Sequence, residues 1–176
     1  MTESKEVLKA NEIITKFDIT EEKLPVDIDS ILNDFKIIWH EADLPDNISG
    51  VLDTRTENPI ILVNQFHSEA RKRFSKAHEL GHFLLQKEFD GLRVDKQMFF
   101  RNELSKKGID SDEIEANRFA AALLMPEKIL SNILFNTSNV IDTEDDDIIL
   151  NLAKKFGVSV SALSIRIGKL VKALHL

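Results

Sequence analysis

Two histidines four residues apart, with an acid directly after the first, give this chain its clearest chemistry: His78-Glu79-Leu80-Gly81-His82. On a helix, positions i and i+4 lie about 40° apart, so both imidazoles can reach one ion. The residue at i+1 falls about 60° beyond the second histidine, beside the coordination position left open. That is the arrangement of a zinc hydrolase, in which two nitrogen ligands hold the metal and a carboxylate takes a proton from water. The plainer reading is a pair of helix-surface histidines matched with acids. Gly81 speaks against it, because glycine inside a helix costs about 1 kcal/mol and persists where another backbone comes close.

A hydrolytic zinc needs a third protein ligand and keeps a fourth position for water. The candidates lie on a second helical stretch, Ser111–Met125, which carries Glu113 and Glu115. Glu113 projects with Ala116, Ala120 and Leu124 along the apolar face, whereas Glu115 points about 160° away. A carboxylate on a core-facing stripe is costly unless paired or metal-bound, so Glu113 is the expected ligand. Ala116 and Ala120 are small enough to let the helix carrying Gly81 pack closely. Asn117, one turn after Glu113, is placed to hydrogen-bond a metal ligand and orient it, although an ordinary surface amide is the competing reading.

The elements that must position these residues follow from periodicity. Val7–Phe17 and Asp27–Phe35 read as helices separated by Pro25. Lys36–His40, Gly50–Thr54 and Pro59–Asn64 read as strands, with a turn at Glu57-Asn58. Together they predict a small, mostly antiparallel three-stranded sheet covered by helices on one side. From Ser68 to about Gln86 the residues Ala70, Phe74, Ala77, Gly81, Leu84 and Leu85 form one apolar stripe, so the metal-binding pattern sits on a helix. Ser111–Met125 begins with a capping signal and is ended by Pro126. Gln86–Ile109 between them has weak periodicity and reads as a long connection with at most short structure.

The chain has 176 residues with 23 Lys plus Arg, 30 Asp plus Glu, and no Cys. Cysteine chemistry and Cys-ligated zinc are excluded, so any metal site must use His with carboxylates. No apolar run approaches the roughly 18 residues needed to span a bilayer, and the polar start has no secretory core, so a cytoplasmic protein without membrane contact is expected. Five basic residues and no acid fall in Ile148–Leu176, whereas Met1–Asp147 holds 18 basic and 30 acidic residues. A boundary is therefore expected between a body, 1–142, and a C-terminal segment, 143–176, that reads as helix, turn and helix: Ile148–Phe156, Gly157-Val-Ser, and Val160 or Ser161 to Leu174. Arg166 stands there where an apolar residue is usual.

Three stretches taken together resemble the ImmA/IrrE family of bacterial metallo-endopeptidases: Ile60–Asn64, Arg71–His82 and Glu113–Pro126. The resemblance implies an α+β, mainly helical, minimal zincin-like fold with a C-terminal helix-turn-helix-like segment. It implies one Zn²⁺ per chain on His78, His82 and Glu113, with Glu79 as general base; Mn or Fe also suits two histidines and a carboxylate. It implies as substrate a helix-turn-helix transcriptional repressor, so that the protein acts as the anti-repressor of a mobile element or stress response. A donor for the tetrahedral intermediate is also needed. With no Tyr in the chain, His67 and Arg71 are the nearest candidates, and both also read as solvated helix-end residues. His40 reads as structural and His175 as part of a frayed end. The edge of the sheet at Ile60–Asn64 is expected to accept a substrate strand. Two rival readings are a binding-only antagonist of the repressor and a DNA-binding regulator that uses the basic tail.

Overall fold

The computed structural model describes residues 3–86, 91–96, 111–135 and 145–173. Helices α1 (Lys5–Lys16) and α2 (Ile28–Asp34) precede strands β1 (Ile38–Ala42), β2 (Ile48–Asp53) and β3 (Ile60–Asn64). Helix α3 (Glu69–Leu85) and strand β4 (Leu92–Lys96) follow, then α4 (Ser111–Leu124), α5 (Glu127–Phe135), α6 (Asp146–Phe156) and α7 (Val160–Ala173). The fold is α+β and mainly helical, as a zincin-like domain should be. Asp27 starts α2 by accepting from the Ser30 amide at 3.0 Å, which satisfies one of the free N–H groups of the first turn.

The sheet is mostly antiparallel, as expected, with one parallel pairing, and it differs from the sequence expectation in its strand number and in the place of Ile60–Asn64. It has four strands in the order β1-β3-β2-β4, it is mixed, and Ile60–Asn64 lies inside it. β1 runs parallel to β3, with Ile38 opposite Ile60, and β2 is antiparallel to both β3 and β4. Burial explains the order: Ile61 and Val63 on β3 are fully buried, while β1 is mostly exposed and takes an edge. The expected substrate edge at Ile60–Asn64 is therefore corrected, since β3 is paired on both sides and, among the described residues, the edge strands are β1 and β4.

β4 falls within the stretch read as a connection. Its sequence Leu92-Arg93-Val94-Asp95-Lys96 does alternate, but with the sense reversed: Leu92 and Val94 are exposed and Asp95 is buried. An ordinary half-buried strand turns its apolar residues inward. The inward face of β4 meets polar chemistry instead of core.

α3 packs on β2 and β3 and is crossed by α4. Gly81 permits the crossing, because a Cβ there would stand 2.9 Å from the Phe119 ring and 3.1 Å from the Ala116 Cα. At the C-terminal end, Asp145 caps α6 by accepting from the amides of Asp147 and Ile148. Gly157 ends it in the left-handed conformation at φ 65°, and α7 leaves at 100° to α6. Phe156, Leu163 and Ile167 join the same apolar cluster as Val26, Ile31 and Leu123. Arg73 of α3 clamps this turn by donating to the carbonyls of Gly157 at 3.2 Å and Val26 at 2.6 Å. The proposed 142/143 boundary and His175 lie outside the described residues. Among the described residues no single helix is long and apolar enough to cross a membrane.

Candidate metal centre

His78 and His82 lie one turn apart on the buried face of α3, with their Nε2 atoms 2.9 Å apart. Glu113, from the first turn of α4, brings its Oε2 to 3.3 Å from Nε2 of His78 and its Oε1 to 3.3 Å from Nε2 of His82. Glu115 points to the opposite side of α4 and pairs with Lys5 at 2.7 Å. A fourth donor comes from the inward face of β4: Asp95 contacts Nε2 of His78 and lies 3.8 Å from Nε2 of His82. All four donor atoms fall within 4.8 Å of one another. Two imidazoles and two carboxylates so disposed can hold one divalent ion.

The remaining ring nitrogens are held from outside. Nδ1 of His78 lies 3.1 Å from the Asn117 side-chain oxygen, which fixes a proton on Nδ1 and leaves Nε2 facing the centre. Nδ1 of His82 lies 3.2 Å from the Gln86 amide nitrogen and 3.0 Å from Arg93. Among the described residues the buried Gln86 carbonyl oxygen has no hydrogen-bond partner. Arg93 also donates to Glu113 at 3.1 Å, tying β4 to α4.

Glu79 is fully buried, and among the described residues neither carboxylate oxygen has a hydrogen-bond partner. It fits because residue 50 is glycine: a Cβ at Gly50 would stand 2.5 Å from the Glu79 Oε1. Burial, reinforced by the Asp95 charge, pushes the Glu79 carboxyl well above its usual range. Burial opposes charge on His78 too, but its hydrogen bonds to Asp95 and Glu113 prevail and raise it to about 10. Burial works to raise Glu113, yet its bonds to the two histidines hold it far below the carboxylate range. Burial lowers His82 toward the neutral, ligand-competent form. The carboxylates therefore draw a proton onto His78, and the orphaned carboxylate of Glu79 points to the same need for positive charge. A divalent cation fits this donor set.

A cleft of about 300 Å³ opens beside the cluster, lined among others by His78, Asp95, Glu113 and Asn117. Its other walls carry Ser49, Arg71 and Phe74, together with Val158, Ser159 and Ala162 from the α6–α7 turn. Arg71 donates to the Ser49 hydroxyl at 3.1 Å. His67 does not line the cleft, and its ring is depressed chiefly by burial. His40 is exposed on β1. Sequence reasoning thus misses Asp95, Arg93 and Gln86. The strict alternation of β4 is the signal that finds the first two, once its polar face is assigned inward.

Residues 33–168 match the peptidase M78 family, described as the IrrE N-terminal-like domain. An uncharacterized immunity region protein 2 of Bacillus phage phi105 is 28% identical over 127 residues, 72% of each chain. A solved structure described as a Mycobacterium tuberculosis transcriptional regulator matches 92% of this chain with a TM-score of 0.54 at 16% identity, a likeness of fold alone. This chain spans 46% of that one.

Proposed function

The chain belongs to the peptidase M78 family of IrrE N-terminal-like domains, and from that premise we propose that it is a zinc-dependent endopeptidase whose substrate is a helix-turn-helix transcriptional repressor. The observation that carries the reading is the placement of Glu79, a buried carboxylate without partners, beside a converging set of His78, His82 and Glu113 at the foot of a cleft. A zinc ion held by those three residues supplies Lewis-acid polarisation of a peptide carbonyl and makes water acidic enough to attack near neutral pH.

The rest of the chemistry falls to the protein. Glu79 accepts the proton of the attacking water and returns it to the leaving amide nitrogen, a role suited to a carboxyl whose affinity for protons is raised. Asn117 keeps the Nε2 lone pair of His78 aimed at the centre. Arg71, on the wall of the cleft, is the available donor for the developing oxyanion. The α6–α7 turn forms the opposite wall, so the basic C-terminal segment contacts the substrate. Lys155 pairs with Glu21 and Arg166 with Glu127, which commits part of its positive charge to the body of the protein.

The repressor as substrate rests on the family resemblance and on the immunity-region name of the phage relative. The test is co-expression of the repressor encoded nearest to this chain with the wild type or with Glu79→Gln. The wild type should yield discrete fragments. Glu79→Gln, which keeps the size and hydrogen bonding of the residue, should fold and bind metal yet cleave about 10² to 10⁴-fold more slowly. Relief of repression without fragments in either case supports the binding-only antagonist instead. A salt-dependent shift of duplex DNA by the protein alone supports the DNA-binding reading.

A further inference from the structure

A hydrolytic zinc site keeps one position free of protein, whereas a site closed by four protein donors is of the structural kind. This centre has features of both. His78, His82, Asp95 and Glu113 present four donor atoms within 4.8 Å of one another. Glu79 sits beside them, buried and without partners, an arrangement that a structural site gives no reason to maintain. An open catalytic site, conversely, gives no reason for Asp95 to press on the same Nε2 of His78 that faces the ion.

We propose that Asp95 is a displaceable fourth ligand: it fills the position that the attacking water needs, and the protein is latent until β4 withdraws it. The proposal rests on the reading of the centre as hydrolytic.

The construction of β4 suits that role. Among the described residues it is an edge strand whose ladder runs to β2, and the pairing slips between Ile48 and Gly50, opposite Lys96 and Asp95. A bulge of this kind weakens pairing at the residue that holds the ligand. Leu92 and Val94 face outward and are 49% and 43% exposed, so little core packing anchors the strand. What holds it inward is charge: Asp95 on His78, and Arg93 on Glu113 at 3.1 Å and on Asp112 at 3.7 Å. Such contacts are given up when a protein partner offers β4 competing ion pairs, and a small ligand at the centre does not supply these. Asp95 lines the cleft together with His78 and Glu113, so the acid that would leave the centre faces the space a substrate enters.

The test loads the full chain with Co²⁺ in place of zinc and follows its visible absorption as acetohydroxamate, a chelating probe that needs an exchangeable position, is added. The wild-type bands should stay unchanged, and those of Asp95→Ala and Asp95→Asn should shift. Both variants should bind Zn²⁺ at least about tenfold more weakly, the lower end of what even an outer hydrogen-bond partner contributes. They should also cleave the repressor faster than the wild type. A wild-type spectrum that responds to the probe as fully as the variants do overturns the proposal, and needs no variant to fold. Unchanged zinc affinity in both variants overturns it as well. Failure of the underlying reading looks different: the wild type then takes up no divalent ion, or Glu113→Gln binds it as well as the wild type does, and the latch falls with the centre.

Discussion

The two sides of the metal centre are built by different rules. On one side α3 and α4 cross in close contact at Gly81, with Ala116, Phe119 and Ala120 fully buried around the crossing, and three of the four donors project from these helices. On the other side β4 hangs by one irregular ladder from β2, shows its apolar residues to solvent and reaches the centre with Asp95 and Arg93. Helices locked by packing hold ligands within the narrow tolerance that coordination demands. An edge strand held by ion pairs can give its ligand up. Precision is thus placed on one wall and mobility of a ligand on the other.

The strongest test of this contrast is removal of the ion, because an ion at the centre would draw donors from both walls at once. Binding only to the folded state contributes about 4 kcal/mol when free metal is 1,000 times its dissociation constant. At about 2–4 °C per kcal/mol for a chain of this size, chelation should lower the melting temperature by roughly 10 °C. Calorimetry with and without EDTA measures it, and equal curves would mean that the walls are held by something else. In the stripped protein His78 is raised from its ordinary value to about 10. The folded form then binds this proton more tightly than the unfolded chain does. Its stabilisation is complete below about pH 6.5 and is lost as pH rises toward 10. Glu79, raised as well, adds a decline of the same sign from the ordinary carboxylate range upward. His82, lowered by burial, adds a rise of opposite sign up to about pH 6.5. Above that range the melting temperature of metal-free protein should fall with rising pH, and His78→Asn should flatten that decline.

A smaller effect separates the precise wall from its support. Asn117→Ala removes the acceptor 3.1 Å from Nδ1 of His78 without touching a donor atom. Loss of such an orienting partner lowers metal affinity by about 10 to 100-fold. A competition titration with a chromophoric chelator reads it directly, and an unchanged affinity would show that helix packing alone fixes the ring.

Smaller again are the two glycines, one on each wall. Gly81→Ala gains about 1 kcal/mol of helix propensity but places its methyl 3.1 Å from the Ala116 Cα and 3.3 Å from its carbonyl oxygen. Overpacking of this kind costs about 1–3 kcal/mol, so urea unfolding should show a net loss of up to about 2 kcal/mol. Gly50→Ala strikes Glu79 instead, and should reduce cleavage while leaving metal affinity close to that of the wild type. Equal effects of the two substitutions on stability and on catalysis would erase the distinction between the walls.

The same division decides what can be read from the sequence. The direction in which a helical side chain points depends only on the 3.6-residue period, so the shared face of His78 and His82, the close crossing at Gly81 and the inward projection of Glu113 are legible. Strand order is not local. β3 and β2 take the centre of the sheet, where Ile61, Val63 and Leu52 are fully buried, and their placement is a comparison among strands that no single window contains. β4 is illegible for a sharper reason. Its alternation is intact, but the usual rule of apolar side inward fails where the interior is a polar centre, so Asp95 looks like a surface acid and the strand like a loop.

The smallest expected effect is the one that tests the wheel itself. Glu115 is two residues from Glu113 and equal to it in chemistry, yet it reaches across to Lys5 at the start of α1, at 2.7 Å, on the side of α4 away from the centre. Glu115→Gln breaks a single ion pair whose lysine end is exposed, and pairs of that kind contribute little once solvent and salt have screened them. Zinc affinity and melting temperature should both stay at wild-type values, whereas Glu113→Gln removes a charged donor facing both histidines and should weaken zinc binding severely. The two variants differ from each other only in which face of one helix has lost its charge, so composition and net charge cancel in the comparison. The reverse pattern in paired zinc titrations would turn α4 by nearly half a revolution, move the third ligand to Glu115, and leave the packing of Ala116 and Ala120 against Gly81 without an explanation.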